Sequence, residues 1–136
     1  MSFGVTPEQL LQAMKGEAGA RKHYQRLMSL APDDREADII ERFFEDEGKH
    51  FSKFRMLYEI ITGNEPETPK VSKSEFDNYL EGVDQAILDE LEAYEFYRDI
   101  YLSTKNPMVR DIFFEALTDE NEHAANLNRL YIRKYL

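Results

Sequence analysis

Cysteine is absent from the chain, and that absence excludes disulfides, zinc–thiolate sites, iron–sulfur clusters and thiol catalysis. Basic residues are scarce. Lys and Arg number 17 against 27 Asp and Glu, a formal charge of −10, which argues against nucleic acid or an anionic membrane surface as a partner. No apolar run has the length of a membrane span, and residues 1–7 carry neither a basic segment nor an apolar one. A soluble cytoplasmic protein is therefore expected. No strand pattern competes with helical periodicity. What the 136 residues do have is 42% hydrophobic and 12% aromatic content, the composition of one folded domain spanning residues 1–136.

The few prolines and glycines punctuate the chain. Thr6 and Pro7 read as an N-cap and first helical residue, and an apolar-periodic run follows to about Leu30. Ala31-Pro32-Asp33 breaks that run, and Asp33 or Asp34 caps a second helix that ends near Thr62, with Gly63 as its stop. Residues 63–73, with Pro66 and Pro69, form the long link. Ser72 with Glu75 makes a capping box for a third helix ending near Thr104, and Asn106-Pro107 opens a fourth. Ile40, Phe43, Phe44, Phe51, Phe54 and Leu57 recur at spacings of three and four in the second helix, as do Val109, Ile112, Phe113 and Ala116 in the fourth. The expected fold is all-α: four long helices with a long crossover between the second and third.

Onto this pattern a repeat is written. His50 and His123 lie 73 residues apart, and each ends an Asp-Glu-x-x-His phrase: Asp46 to His50 and Asp119 to His123. The same offset maps Glu17 onto Glu90, Ala20 onto Ala93 and Tyr24 onto Tyr97. The chain thus divides into a first repeat of about 6–62, the linker 63–73 and a second repeat of about 74–136. Glu47, His50, Glu120 and His123 occupy beats missing from the apolar stripes, and Glu90 sits between Ile87 and Tyr94 on the stripe of the third helix. These polar side chains therefore point inward.

Residues i and i+3 share one helix face, so Glu-x-x-His aims a carboxylate and an imidazole at one point. Four buried carboxylates without compensation would protonate or unfold the bundle, whereas two divalent cations make the set formally neutral. The expected metal ligands are Glu17, Glu47, His50, Glu90, Glu120 and His123, the donor set of a two-metal carboxylate site in a helix bundle. Glu47 and Glu120 would bridge the pair, Glu17 and His50 completing one metal and Glu90 and His123 the other. Mixed carboxylate and imidazole ligation suits iron, or manganese at one or both positions. Asp119 is expected to hold the outer nitrogen of His50, and Asp46 that of His123. Tyr24 and Tyr97, the candidate catalytic groups, could hold a ligand carboxylate or move an electron and proton. Gly16, Gly19, Ala20 and Ala93 leave room for a small molecule. Arg21 reads as an ordinary ion-pair residue and His23 as a surface or edge residue.

Gly16-Glu17-Ala18-Gly19-Ala20-Arg21-Lys22-His23-Tyr24 resembles the Gly-Glu-x-x-Ala-Arg-x-x-Tyr opening of rubrerythrins. With the two Glu-x-x-His helices, essentially the whole chain resembles the erythrin branch of the ferritin-like superfamily. That resemblance implies a ferritin-like bundle with a non-haem di-iron site, reducing hydrogen peroxide or activating dioxygen. Two departures stand out. The chain has no cysteines for a rubredoxin iron, so a separate electron-donor protein is expected. Rubrerythrins carry an extra Glu three residues after the third-helix ligand, and here that position is Ala93, which leaves a more open coordination sphere. A ferroxidase, iron-handling or sensing protein and a di-iron hydroxylase of an organic substrate are the alternatives.

One geometric expectation concerns assembly. For the repeats to face each other the third helix must run parallel to the second. Twelve steps from Thr62 to Ser74 reach at most about 40–43 Å, against roughly 46 Å of helix to be crossed. A link so taut implies unwound helix ends or halves exchanged between chains, and a homodimer, with domain swapping as one of its forms, is expected.

Overall fold

A computed structural model describes residues 2–136; Met1 lies outside the described residues. The chain folds as four helices, α1 (Pro7–Leu30), α2 (Asp34–Thr62), α3 (Tyr79–Ser103) and α4 (Pro107–Arg133). No helix among the described residues is long and apolar enough to cross a membrane.

The caps explain the boundaries. Thr6 accepts from the backbone N–H of Gln9 while the Gln9 side chain accepts from that of Thr6, a reciprocal box ahead of Pro7. Asp33 caps α2 through the N–H of Glu36, and Gly63, at φ 73°, ends it in the left-handed conformation that glycine adopts without a Cβ penalty. Asn106 caps α4 through Met108 and Val109.

The start of α3 differs from expectation. It begins at Tyr79, capped by Asn78 through the N–H of Glu81, and the segment around Ser72 and Glu75 stays outside the helix. Tertiary contacts override the local capping signal. Arg26 donates to the carbonyls of Ser74 and Phe76 at 2.6 and 2.5 Å, and its guanidinium stacks 4.3 Å over the Phe76 ring. Phe76 is buried against Leu27 and Gly82; a Cβ at Gly82 would stand 2.5 Å from Phe76 Cε2.

This later start relieves the link. Seventeen steps join Thr62 to Tyr79, a reach of about 56–61 Å, and the shorter α3 leaves roughly 39 Å of helix to cross. The connection closes within one chain, so the geometric case for exchanged halves disappears.

α1 packs along α2 and α3 along α4 as two antiparallel hairpins. The hairpins face each other through α1 with α3 and α2 with α4. Thr104 at the end of α3 donates to Phe3 just before α1, and Lys53 of α2 pairs with Glu115 of α4, so the facing helices are antiparallel. Two apolar clusters fill the bundle. One is built on Leu10, Met14, Phe54, Leu57, Val109 and Phe113, the other on Leu27, Ile40, Phe43, Val83 and Leu127. A buried polar layer lies between them.

Candidate metal centre

All six expected ligands meet in that layer. Glu17, Glu47, His50, Glu90, Glu120 and His123 are each no more than 2% exposed. One ligand atom from each of Glu17, Glu47, His50 and Glu120 lies within 4.8 Å of the others, and Glu47, Glu90, Glu120 and His123 form a second such group. Glu47 and Glu120 belong to both groups. Each remaining acid and histidine belongs to one, which is the division the sequence repeat implies.

The imidazoles are fixed by their outer nitrogens. His50 Nε2 lies 2.7 Å from Asp119 Oδ2, and His123 Nε2 lies 2.8 Å from Asp46 Oδ2, each reaching across to the other repeat. A carboxylate accepts, so Nε2 donates and Nδ1 is left to face the carboxylates. His50 Nδ1 stands 3.2 Å from Glu47, 3.3 Å from Glu120 and 3.4 Å from Glu17. His123 Nδ1 stands 3.5 Å from Glu47 and Glu90 and 3.6 Å from Glu120. Lone pairs so placed repel one another unless a proton or a metal ion lies between them.

The tyrosines fix the outer acids. Tyr24 Oη donates to Glu90 Oε1 at 2.6 Å, and Tyr97 Oη donates to Glu17 Oε1 at 2.5 Å, each across the α1–α3 interface. Each acid thus keeps its second oxygen free. Glu17 Oε2, Glu90 Oε2, both oxygens of Glu47, Glu120 Oε1 and the Nδ1 atoms of His50 and His123 are buried without a hydrogen-bond partner. Seven orphaned polar atoms at one point would be costly in a native protein. They fit a pair of metal ions, which the cluster can hold.

The electrostatics reflect the same demand. Burial, reinforced by neighbouring acids, pushes the Glu47 and Glu120 carboxyls well above the usual range and raises Glu17 despite the opposing pull of His50. Burial alone would lower the histidines, but the surrounding carboxylates win: His50 is raised strongly and His123 to about 9. Burial opposes ionisation of Asp119, yet its bond to His50 holds its carboxyl below the ordinary range. Burial and then the nearby glutamates drive Tyr24 and Tyr97 well above 10, so both phenols stay protonated.

Two of the sequence readings need correction. His23 is buried, not on the surface: its Nε2 donates to the Gly82 carbonyl at 2.7 Å, and Nδ1 sits 2.6 Å from Ser74 Oγ. With Lys22 and Arg26 it ties the crossover segment to α1. In place of an ion pair, Arg21 stacks 4.2 Å over the Phe44 ring and runs past Gly48, where a Cβ would stand 3.3 Å from its Nε. Neither residue has a repeat counterpart: Phe96 and Tyr94 stand at the places that match His23 and Arg21.

The rubrerythrin family model matches residues 8–131. The chain belongs to the rubrerythrin family. It is 36% identical over 115 residues to the uncharacterized protein YhjR of Bacillus subtilis (strain 168), covering 85% of this chain and 79% of that one. A hypothetical protein from Pyrococcus furiosus superposes with a TM-score of 0.79 at 25% identity, over 92% of this chain and 87% of that one. Rv2844 from Mycobacterium tuberculosis, a conserved hypothetical protein, gives 0.80 at 13% identity over 91% and 88%. A two-domain Anabaena variabilis protein with DJ-1/ThiJ/PfpI-like and ferritin-like domains gives 0.79 at 15% identity; it covers 99% of this chain, which spans 38% of that longer one. The fold is therefore the ferritin-like four-helix bundle, with the carboxylate and histidine cluster buried at its centre.

Proposed function

We propose that this member of the family is a di-iron oxidoreductase that reduces hydrogen peroxide or dioxygen at the buried centre. The observation that carries the reading is the convergence of seven unpartnered ligand atoms on one point between the two repeats. Carboxylate and imidazole donors without a thiolate suit iron, with manganese as the substitute at one or both positions. Once bound, such a metal pair supplies electrons and Lewis acidity for the two-electron reduction of peroxide to two waters.

The protein's own residues set the geometry and hold the protons. Glu47 and Glu120, common to both ligand groups, would serve both ions; Glu17 with His50, and Glu90 with His123, would complete the two positions. Asp119 and Asp46 keep the imidazoles in the tautomer that leaves Nδ1 free. Tyr24 and Tyr97 hold their phenolic protons against Glu90 and Glu17. Ala93, at the place of the family's extra Glu, contributes no ligand and leaves that direction open. A separate donor protein would supply the electrons.

A cytoplasmic homodimer completes the proposal. Leu88, Leu91 and Leu102 stand 57%, 43% and 60% exposed along one side of α3 and give a dimer apolar area to cover. A clean monomer by sedimentation would remove that part.

Elemental analysis of freshly purified protein tests the reading first. About two metals per chain, chiefly iron, with peroxide consumption faster than in Glu47→Ala, is the expected result. No metal after anaerobic loading with ferrous iron would overturn it.

A further inference from the structure

On the α1–α3 side the centre does not lie against packed protein. A cavity of about 440 Å³ opens there, floored by Glu17, Glu47, Glu90 and Glu120 and roofed by Val71 to Ser74 of the crossover. Those floor carboxylates are the buried ligands of the metal centre, so the cavity opens directly onto the metal-binding cluster.

Its walls are formed by what α1 and α3 leave out. Gly16, Gly19, Ala20 and Ala93 line it, with Phe96 beside them. Glycine inside a helix is destabilising and is usually explained by close approach of a neighbour. Gly82 and Gly48 have that explanation. Gly16 and Gly19 do not: a Cβ at Gly16 would meet nothing within 4 Å, and one at Gly19 only Val71 Cγ1 at 3.7 Å. Gly16, exposed at the rim, and Gly19, half-buried, thus leave the space above the carboxylates open.

That space is far larger than peroxide requires. A water molecule takes about 30 Å³ of liquid volume, and pockets for small organic ligands begin at about 300 Å³. The rim balances Lys15 and Lys73 against Asp89 and Glu92, which favours neither sign of charge. We propose that the cavity beneath the crossover binds a small uncharged organic molecule, of the size of a phenol or a short alcohol or aldehyde, beside the metal pair. This rests on the metal-centre reading and deepens it, by assigning the open side of the site to an organic ligand.

The test uses full-length protein loaded with zinc, a diamagnetic stand-in, with metal content measured on every sample and 4-fluorophenol as the probe followed by 19F NMR. Saturable binding is expected, with 4-fluorobenzoate at least tenfold weaker. Gly16→Leu and Ala93→Leu, which place side chains in the void, should each keep two metals and unfold no earlier than wild type on heating, yet lose at least tenfold in probe affinity. Ala125→Leu, on the exposed face of α4, should bind as wild type. Protein with two metals and no saturable probe binding, or undiminished binding in both filled variants, would overturn the inference and leave the metal reading intact. Equal affinity for the benzoate would overturn the uncharged class. Absence of metal would instead count against the reading on which the inference rests.

Discussion

Tyr97 of α3 holds Glu17 of α1 through a 2.5 Å hydrogen bond that spans 80 positions of sequence, and Tyr24 holds Glu90 in the mirror-image contact. Each bond occupies one carboxylate oxygen and turns the other toward the site. Tyr97→Phe or Tyr24→Phe frees that oxygen in a buried place and lets the carboxylate rotate. Loss of such an outer partner generally weakens metal affinity about 10–100-fold, and the unpaired oxygen destabilises the fold by about 1–3 kcal/mol. Metal titration and denaturant unfolding would check both. Unchanged affinity in the two variants would reduce the tyrosines to core packing.

Glu47 and Glu120 are common to both ligand groups, while Glu17 and Glu90 serve one each. Removing a bridge should therefore have a different stoichiometric effect from removing a terminal ligand. Glu47→Ala and Glu120→Ala are expected to lose tight binding at both positions, and Glu17→Ala and Glu90→Ala chiefly at one. Metal-to-protein ratios after gel filtration read the difference. A Glu47→Ala protein that still carried two metals would show that Glu47 is a terminal ligand.

Much of this was legible before any coordinates, for a physical reason. Buried charge is expensive, so acids and histidines placed on an apolar stripe must have partners, and an exact repeat shows where those partners are. Asp46 and Asp119 could be assigned across the repeat because each immediately precedes a ligand glutamate. The beginning of α3 departs from the local signal because two capping signals compete: Ser72 with Glu75, and Asn78 with Glu81. Which one caps the helix depends on Arg26 and His23, some fifty residues away in sequence, and such contacts carry no local signature. The same long-range tie explains why His23, lacking a repeat counterpart, looked peripheral.

Protons and metal compete for the same atoms, and the sign follows from the shifts. Glu47 and Glu120 are raised well above the usual range by burial in the metal-free fold. A raised folded-state value means that their contribution to stability is complete below the unfolded range and is lost as pH rises through the folded one. Metal ions require the deprotonated groups. The metal-free protein should thus be stabilised by mild acid, and the gain in Tm on loading should widen as pH rises above the ordinary carboxylate range. Calorimetry of loaded and metal-free samples would show it. Glu47→Gln should flatten the metal-free profile, since one titrating acid is gone; a profile of unchanged slope would assign the effect to general charge repulsion.

His23 joins the crossover to both hairpins, through Ser74 Oγ and the Gly82 carbonyl at the start of α3. The carbonyl can only accept, so the ring donates through Nε2, and its neutral form accepts from Ser74 at Nδ1. His23→Leu keeps the bulk that packs on Phe76 and removes both bonds. Each is worth about 0.5–1.5 kcal/mol, so a loss of about 1–3 kcal/mol in denaturant unfolding is expected. Because Arg26 still holds Ser74 and Phe76, the bundle should fold and retain two metals while the segment around Val71 to Ser74 becomes more susceptible to limited proteolysis. Double substitution with Arg26→Leu should release the segment altogether. If cleavage in His23→Leu were no faster than in wild type, the arginine alone would be sufficient to hold the crossover over the site.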